Sequence, residues 1–194
     1  MKKALFLDRD GTINVEKNYL YKIDDFEFLP GVVEALRLAQ DAGFILLIIT
    51  NQSGIARGYY QEEDFHTLNR WMLNTLKENG VCISQVYYCP HHPQAVIDAY
   101  KKECDCRKPG IGLFTKAIAD YELDVDSCYA VGDKIRDCCI CEYTSCHGFL
   151  IADHEKKETI EAVKAGQIKH VEYAENLYEA VKKIVSGERK TVCS

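Results

Sequence analysis

Two patterns of apolar and polar positions alternate along the chain. The first is a short unbroken apolar run that stops at polar groups. Ala4 to Leu7 ends in Asp8-Arg9-Asp10-Gly11, Phe44 to Ile49 in Thr50-Asn51-Gln52-Ser53-Gly54, and Cys128 to Val131 in Gly132-Asp133-Lys134. Such runs predict strands buried on both faces of a sheet, here over residues 2–8, 44–49 and 128–131, with further strands at 83–88 and 148–152. The second pattern has helical spacing. Pro30-Gly31 opens a helix carrying Val32, Val33, Ala35, Leu36, Leu38 and Ala39, which closes at Asp41-Ala42-Gly43. Residues 61–77 carry Phe65, Leu68, Trp71, Met72 and Leu76 on one stripe, with Trp71 read as core. Helices are also predicted at 111–121, 138–145 and 175–185, the last preceded by a polar stretch with one short helix.

Strands alternate with helices, which predicts an α/β class: a three-layer Rossmann-like fold with a mainly parallel sheet. The segment from Gly11 to Asp25 lacks a period and reads as a flap beside the first strand end, and no insertion is long enough for more than a minimal cap. The expected organisation is a single domain over 1–194 with a frayed tail at 186–194.

The 194 residues are 47% hydrophobic and 28% charged, ordinary for a globular chain. A net charge of -6 argues against a general polyanion binder, so no nucleic-acid partner is expected. No apolar stretch approaches the roughly 20 residues of a membrane span, and the N-terminus lacks a signal peptide's apolar region. A cytoplasmic, monomeric protein with no membrane partner is the expectation.

Asp8 and Asp10, Thr50 and Asn51, and Asp133 all stand at strand ends, and Arg107-Lys108 arrives from the loop before the helix at 111–121. Together they are the parts of a phosphoryl-transfer site: carboxylates for attack, proton transfer and magnesium, with a hydroxyl and a lysine for the phosphoryl oxygens. Asp8-Arg9-Asp10-Gly11-Thr12, Thr50-Asn51, Lys108 and Gly132-Asp133, in this order, resemble the four motifs of the haloacid dehalogenase-like phosphatases. The resemblance implies that Asp8 is the nucleophile and forms an aspartyl-phosphate, and that Asp10 is the general acid and base. It implies Mg2+ between Asp8, the backbone carbonyl of Asp10 and Asp133, with Thr50 and Lys108 on the transferring group. By carry-over, Glu16, Lys17, Asn18, Tyr19, Asn51, Gln52, Ser53, Arg107 and Lys134 contact a small sugar phosphate.

A second constellation, Cys89-Pro90-His91-His92 followed by Cys104-Asp105-Cys106, gives C-x-H-x12-C-x-C, a tetrahedral zinc set inside the irregular loop 89–109. His91 and His92 are both candidates. The spacing of His91 mirrors that of Cys104 and Cys106, and the family pattern also favours it. A structural Zn2+ on Cys89, His91, Cys104 and Cys106 would stabilise the loop and fix Arg107 and Lys108 beside the site. The remaining cysteines, including Cys138, Cys139, Cys141 and Cys146, do not repeat this spacing and read as core thiols. His66, His147, His154 and His170 receive no task.

A zinc loop of this form narrows the resemblance to the sugar-bisphosphate phosphatases of the family. Histidinol-phosphate phosphatases, which carry a similar loop with a shorter spacer, are the alternative. A non-catalytic zinc-loop protein that binds a phosphosugar is the rival of a different class.

Overall fold

The structure, a computed structural model, describes residues 2–151 and 154–187. Its centre is a six-stranded sheet in the order β3-β2-β1-β4-β5-β6, formed by β1 (Lys3–Leu7), β2 (Phe44–Asn51), β3 (Ile83–Cys89), β4 (Tyr129–Gly132), β5 (His147–Ile151) and β6 (Val171–Ala174). Every neighbouring pair is parallel. The helices are α1 (Val32–Asp41), α2 (Ser53–Ala56), α3 (Glu62–Glu78), α4 (Gly112–Tyr121), α5 (Ile140–Tyr143), α6 (Lys157–Lys164) and α7 (Leu177–Ser186).

The unbroken apolar runs follow from burial on both faces. Leu5, Leu7, Leu46, Ile48, Tyr129 and Val131 pack with α1, α3 and α7 on one side. Ala4, Phe6, Leu47, Ile49 and Ala130 pack with α4, α5 and α6 on the other. Successive strand residues thus feed two cores, and three layers result. Trp71 joins the first core and meets Phe26 at 5.3 Å between ring centroids. That contact seats the returning half of the 11–31 segment, where Leu29 N–H donates to the Ile13 carbonyl at 3.0 Å.

Several predicted elements differ. A sixth strand, β6, was not expected: Val171-Glu172-Tyr173-Ala174 is short and carries a charge, and only edge pairing with β5 makes it a strand. The helix predicted over 138–145 is a 3-10 turn at Ile135–Cys138 followed by the single turn of α5. Its thiols are nevertheless core, with Cys138, Cys139, Cys141 and Cys146 all buried. The strand predicted to stop at Tyr88 runs on to Cys89, which places the first thiol of the metal loop on the sheet. α7 ends at Ser186, and the tail beyond Gly187 lies outside the described residues, as does Ala152, the last residue of the strand expected at 148–152. Among the described residues, no helix is long and apolar enough to cross a membrane.

Candidate active site

The chain leaves β1 towards α1 on one face and β4 towards α5 on the other. The crevice between these adjacent strands is therefore the switch point at which open α/β sheets place ligands. Asp8 follows β1, and its N–H donates to the Val131 carbonyl of β4 at 3.0 Å. Asp133 follows β4. Gly11, at φ 85°, carries the turn directly over Asp133: a Cβ there would stand 2.4 Å from Asp133 Oδ2. Gly132 likewise makes room for Asp137, whose Cβ would lie 2.2 Å from a Cβ at that position.

Lys108 is buried beneath these acids and spends all three N–H groups: 2.8 Å to Asp8 Oδ1, 2.7 Å to Asp137 Oδ1 and 2.6 Å to the Ile49 carbonyl. Asn51 places it through two reciprocal bonds. Its Nδ2 donates to the Lys108 carbonyl and its Oδ1 accepts from the Lys108 N–H, each at 3.0 Å. Burial works against the ammonium, but Asp137 and Asp8 together hold it above the ordinary lysine range. The acids outnumber it. Burial, opposed by Lys108 and reinforced by Asp137 and Asp10, pushes Asp8 up to about 7. Burial with repulsion from Asp137 and Asp8 does the same to Asp133, also to about 7. Ligand oxygens of Asp8, Asp133 and Asp137 all lie within 4.8 Å of one another. Three converging carboxylates, two of them bonded to Lys108 and the third only 3.8 Å from Lys134, are a donor set that a hard divalent cation fits.

Asp10 points into a different network. Arg9, fully buried, bonds both of its oxygens at 3.0 Å. Asn14 donates to Oδ1 at 3.1 Å and Gln52 to Oδ2 at 2.8 Å. Gln52 also donates to Thr50 Oγ1 at 2.9 Å, and its Oε1 accepts from Tyr60 and Arg9. The amide's two protons and both acceptor positions are thereby committed.

A cavity of about 260 Å³ opens over these groups. Of the predicted residues, Asp8, Asp10, Glu16, Asn18, Tyr19, Asn51, Gln52, Ser53, Arg107, Lys108, Asp133 and Lys134 line it. Thr50 is buried outside the lining, and Lys17 turns away to pair with Glu27 at 3.2 Å. Arg57, Tyr60, Arg136 and Asp137 also line the cavity and were not anticipated. For Asp137 a signal existed: a second acid four residues beyond the strand-end Asp133, which a short turn returns to the crevice. His154, assigned no task, places Nδ1 3.3 Å from Asp133 Oδ2.

Beside the cavity the ligand atoms of Cys89, His91, Cys104 and Cys106 gather within 4.8 Å. The sulfurs are 3.2 to 3.6 Å apart, and His91 Nδ1 is 3.2 Å from Cys106 Sγ. Disulfide sulfurs stand about 2.05 Å apart, whereas the edge of a zinc–thiolate tetrahedron is about 3.8 Å, so the spacing and the donor set fit a soft tetrahedral cation. His92 is excluded from the cluster: its Nδ1 accepts from Gln94 N–H at 3.0 Å and its Nε2 faces Arg57 at 3.1 Å. Arg107, next to the last thiol, reaches back to the His91 carbonyl at 3.5 Å.

A parallel sheet with a carboxylate–lysine crevice at its switch point defines a haloacid dehalogenase-like phosphatase. The model of the family described as polynucleotide kinase 3 phosphatase matches residues 3–163. Curated relatives named D-glycero-beta-D-manno-heptose-1,7-bisphosphate 7-phosphatase include one from Haemophilus ducreyi, 50% identical over 70% of this chain and 75% of its own. Another, from Escherichia coli, is 48% identical over 69% and 70%. The crystal structure of the D,D-heptose 1.7-bisphosphate phosphatase from B. bronchiseptica, complexed with magnesium and phosphate, superposes with a TM-score of 0.81 at 26% identity, covering 96% of this chain and 99% of that one. The chain belongs to the family these relatives make up, the heptose-bisphosphate 7-phosphatases of the haloacid dehalogenase-like group.

Proposed function

We propose that this enzyme removes the 7-phosphate of D-glycero-β-D-manno-heptose 1,7-bisphosphate through a phosphorylated Asp8. The observation that carries the reading is the Asp8 carboxylate held 2.8 Å from buried Lys108 in the cavity floor, beside Asp133. The relatives' names supply the substrate. Asp8 attacks phosphorus, and the bond to the sugar oxygen breaks. Asp10 gives that oxygen a proton, then takes one from the water that releases phosphate from Asp8. The Lys108 N–H that bonds Asp8 is the one that turns to the transferring group as Asp8 attacks, while Asp137 and Asn51 keep the lysine in place. Mg2+, held by Asp8, the Asp10 carbonyl and Asp133, would neutralise charge on the phosphoryl oxygens. Arg57, Arg107, Lys134 and Arg136 form a cationic rim suited to the second phosphate. Zn2+ on Cys89, His91, Cys104 and Cys106 would hold the loop that delivers Arg107 and Lys108. The reading further takes the chain as a cytoplasmic, single-domain monomer.

Phosphate release from the β and α anomers of the bisphosphate and from histidinol phosphate, in magnesium with and without EDTA, tests the substrate. The β anomer should be turned over at least about tenfold faster than histidinol phosphate, an ordinary margin for pocket discrimination, and EDTA should abolish release. Preferred turnover of histidinol phosphate, or binding of the bisphosphate with no release, would overturn the reading.

A further inference from the structure

We propose that Arg9 is a positioning residue for the reaction, acting through Asp10. The inference rests on the reading of Asp10 as proton donor and acceptor. Arg9 does not line the cavity and is fully buried, so it reaches substrate only through its neighbour. Adjacent side chains on a strand point to opposite faces, but the chain bends here. The Arg9 carbonyl accepts from the N–H groups of Thr12, Ile13 and Asn14, at 3.3, 2.8 and 3.2 Å. That bend folds the guanidinium back across the carboxylate beside it. Nη2 stands 3.0 Å and Nε 3.2 Å from both Asp10 oxygens.

The other side of the guanidinium is anchored in the scaffold. Nη1 donates to Asn69 Oδ1 of α3 at 3.3 Å, Nη2 to the Leu20 carbonyl at 3.3 Å, and the Phe65 ring lies 5.5 Å from the guanidinium carbon. A planar fork tied at both ends sets the plane of the Asp10 carboxylate, while Asn14 and Gln52 each fix one oxygen. A lysine, as a point donor on a flexible stem, cannot span both oxygens and reach Asn69 as well. Stability alone is a poor account of this group. Desolvation offsets most of the attraction in a buried ion pair, and an aliphatic side chain could fill such a space without that penalty.

The test is a double-mutant cycle of Arg9→Lys and Asp10→Asn, read as single-turnover phosphate transfer from heptose 1,7-bisphosphate in magnesium, with KM measured alongside. Arg9→Lys should slow transfer about 10²-fold, the size of loss a misplaced group produces, with KM changed little. Asp10→Asn should cost about 10² to 10⁴-fold, and adding Arg9→Lys to it should change the rate by no more than about twofold if the two act as a unit. A loss from Arg9→Lys that multiplies onto that of Asp10→Asn, or no loss at all, overturns the proposal. An Asp10→Asn enzyme that transfers normally overturns the reading of Asp10 instead. Should Arg9→Lys fail to fold, Asn69→Leu removes the anchor and leaves the fork. It should give a smaller loss that vanishes in the Asp10→Asn background, and a persisting or absent loss counts against the proposal.

Discussion

Gly11 carries the turn after β1 over Asp133, which follows β4. Its φ of 85° would cost an alanine about 1–2 kcal/mol. The added Cβ would also meet Asp133 Oδ2 at 2.4 Å and Cγ at 2.6 Å, so the carboxylate must move. Gly11→Ala should retain the fold by circular dichroism, lose at least about tenfold in kcat as a misplaced group does, and need more magnesium for half-maximal turnover. Wild-type magnesium dependence would contradict the placement of Asp133 as a cation ligand. At this scale the sequence exposed identities better than tasks. Asp8, Asp10 and Asp133 were legible because apolar strands end at them. The bonds of Asn51 were not, since its partner Lys108 arrives from 57 residues away. Gln52 illustrates the same limit: it lines the cavity, but the bonds of its amide to Asp10, Thr50, Tyr60 and Arg9 were not readable from a strand end. Arg9 was hidden because a charged residue between two acids gives no sign that it folds inward.

Among the elements, the loop from Cys89 to Lys108 carries the clearest prediction. Cys82 is exposed, whereas Cys128, Cys138, Cys139, Cys141 and Cys146 are buried. In the reduced native protein a thiol reagent should leave those five untouched. A zinc chelator should release three more reactive groups, those of Cys89, Cys104 and Cys106. Turnover should fall in step with that exposure, because the loop delivers Lys108. Thiol counts and rates that ignore the chelator would contradict a metal-held loop. Spacing made this cluster readable in the sequence, because close donors within one loop must converge. The edge strand β6 and the broken helix at 135–143 were not readable. Each depends on what packs beside it: Val171 to Ala174 on β5, and the Cys-rich turns on Gly148, where a Cβ would stand 2.9 Å from Cys138 Sγ.

Over the whole molecule, the strand order places one crevice between two oppositely directed crossovers, and the chain brings its chemistry there from four separate stretches. A net charge of -6 coexists with Arg57, Arg107, Lys134 and Arg136 around one mouth, so a small polyanionic substrate is met locally. The fold class was legible because two alternating periodicities leave few ways to bury both. The cationic rim was only half legible, because Arg57 and Arg136 join it through the packing of α2 and the turn after β4. Phosphate passing through Asp8 is what the whole arrangement serves. Acid-quenching the enzyme within its first turnover of bisphosphate labelled at the 7-phosphate, then mapping the label on the chain, tests it most directly. Label should appear on the peptide containing Asp8 and be lost in Asp8→Asn together with turnover. Label on another residue, or substantial turnover by Asp8→Asn, would contradict it.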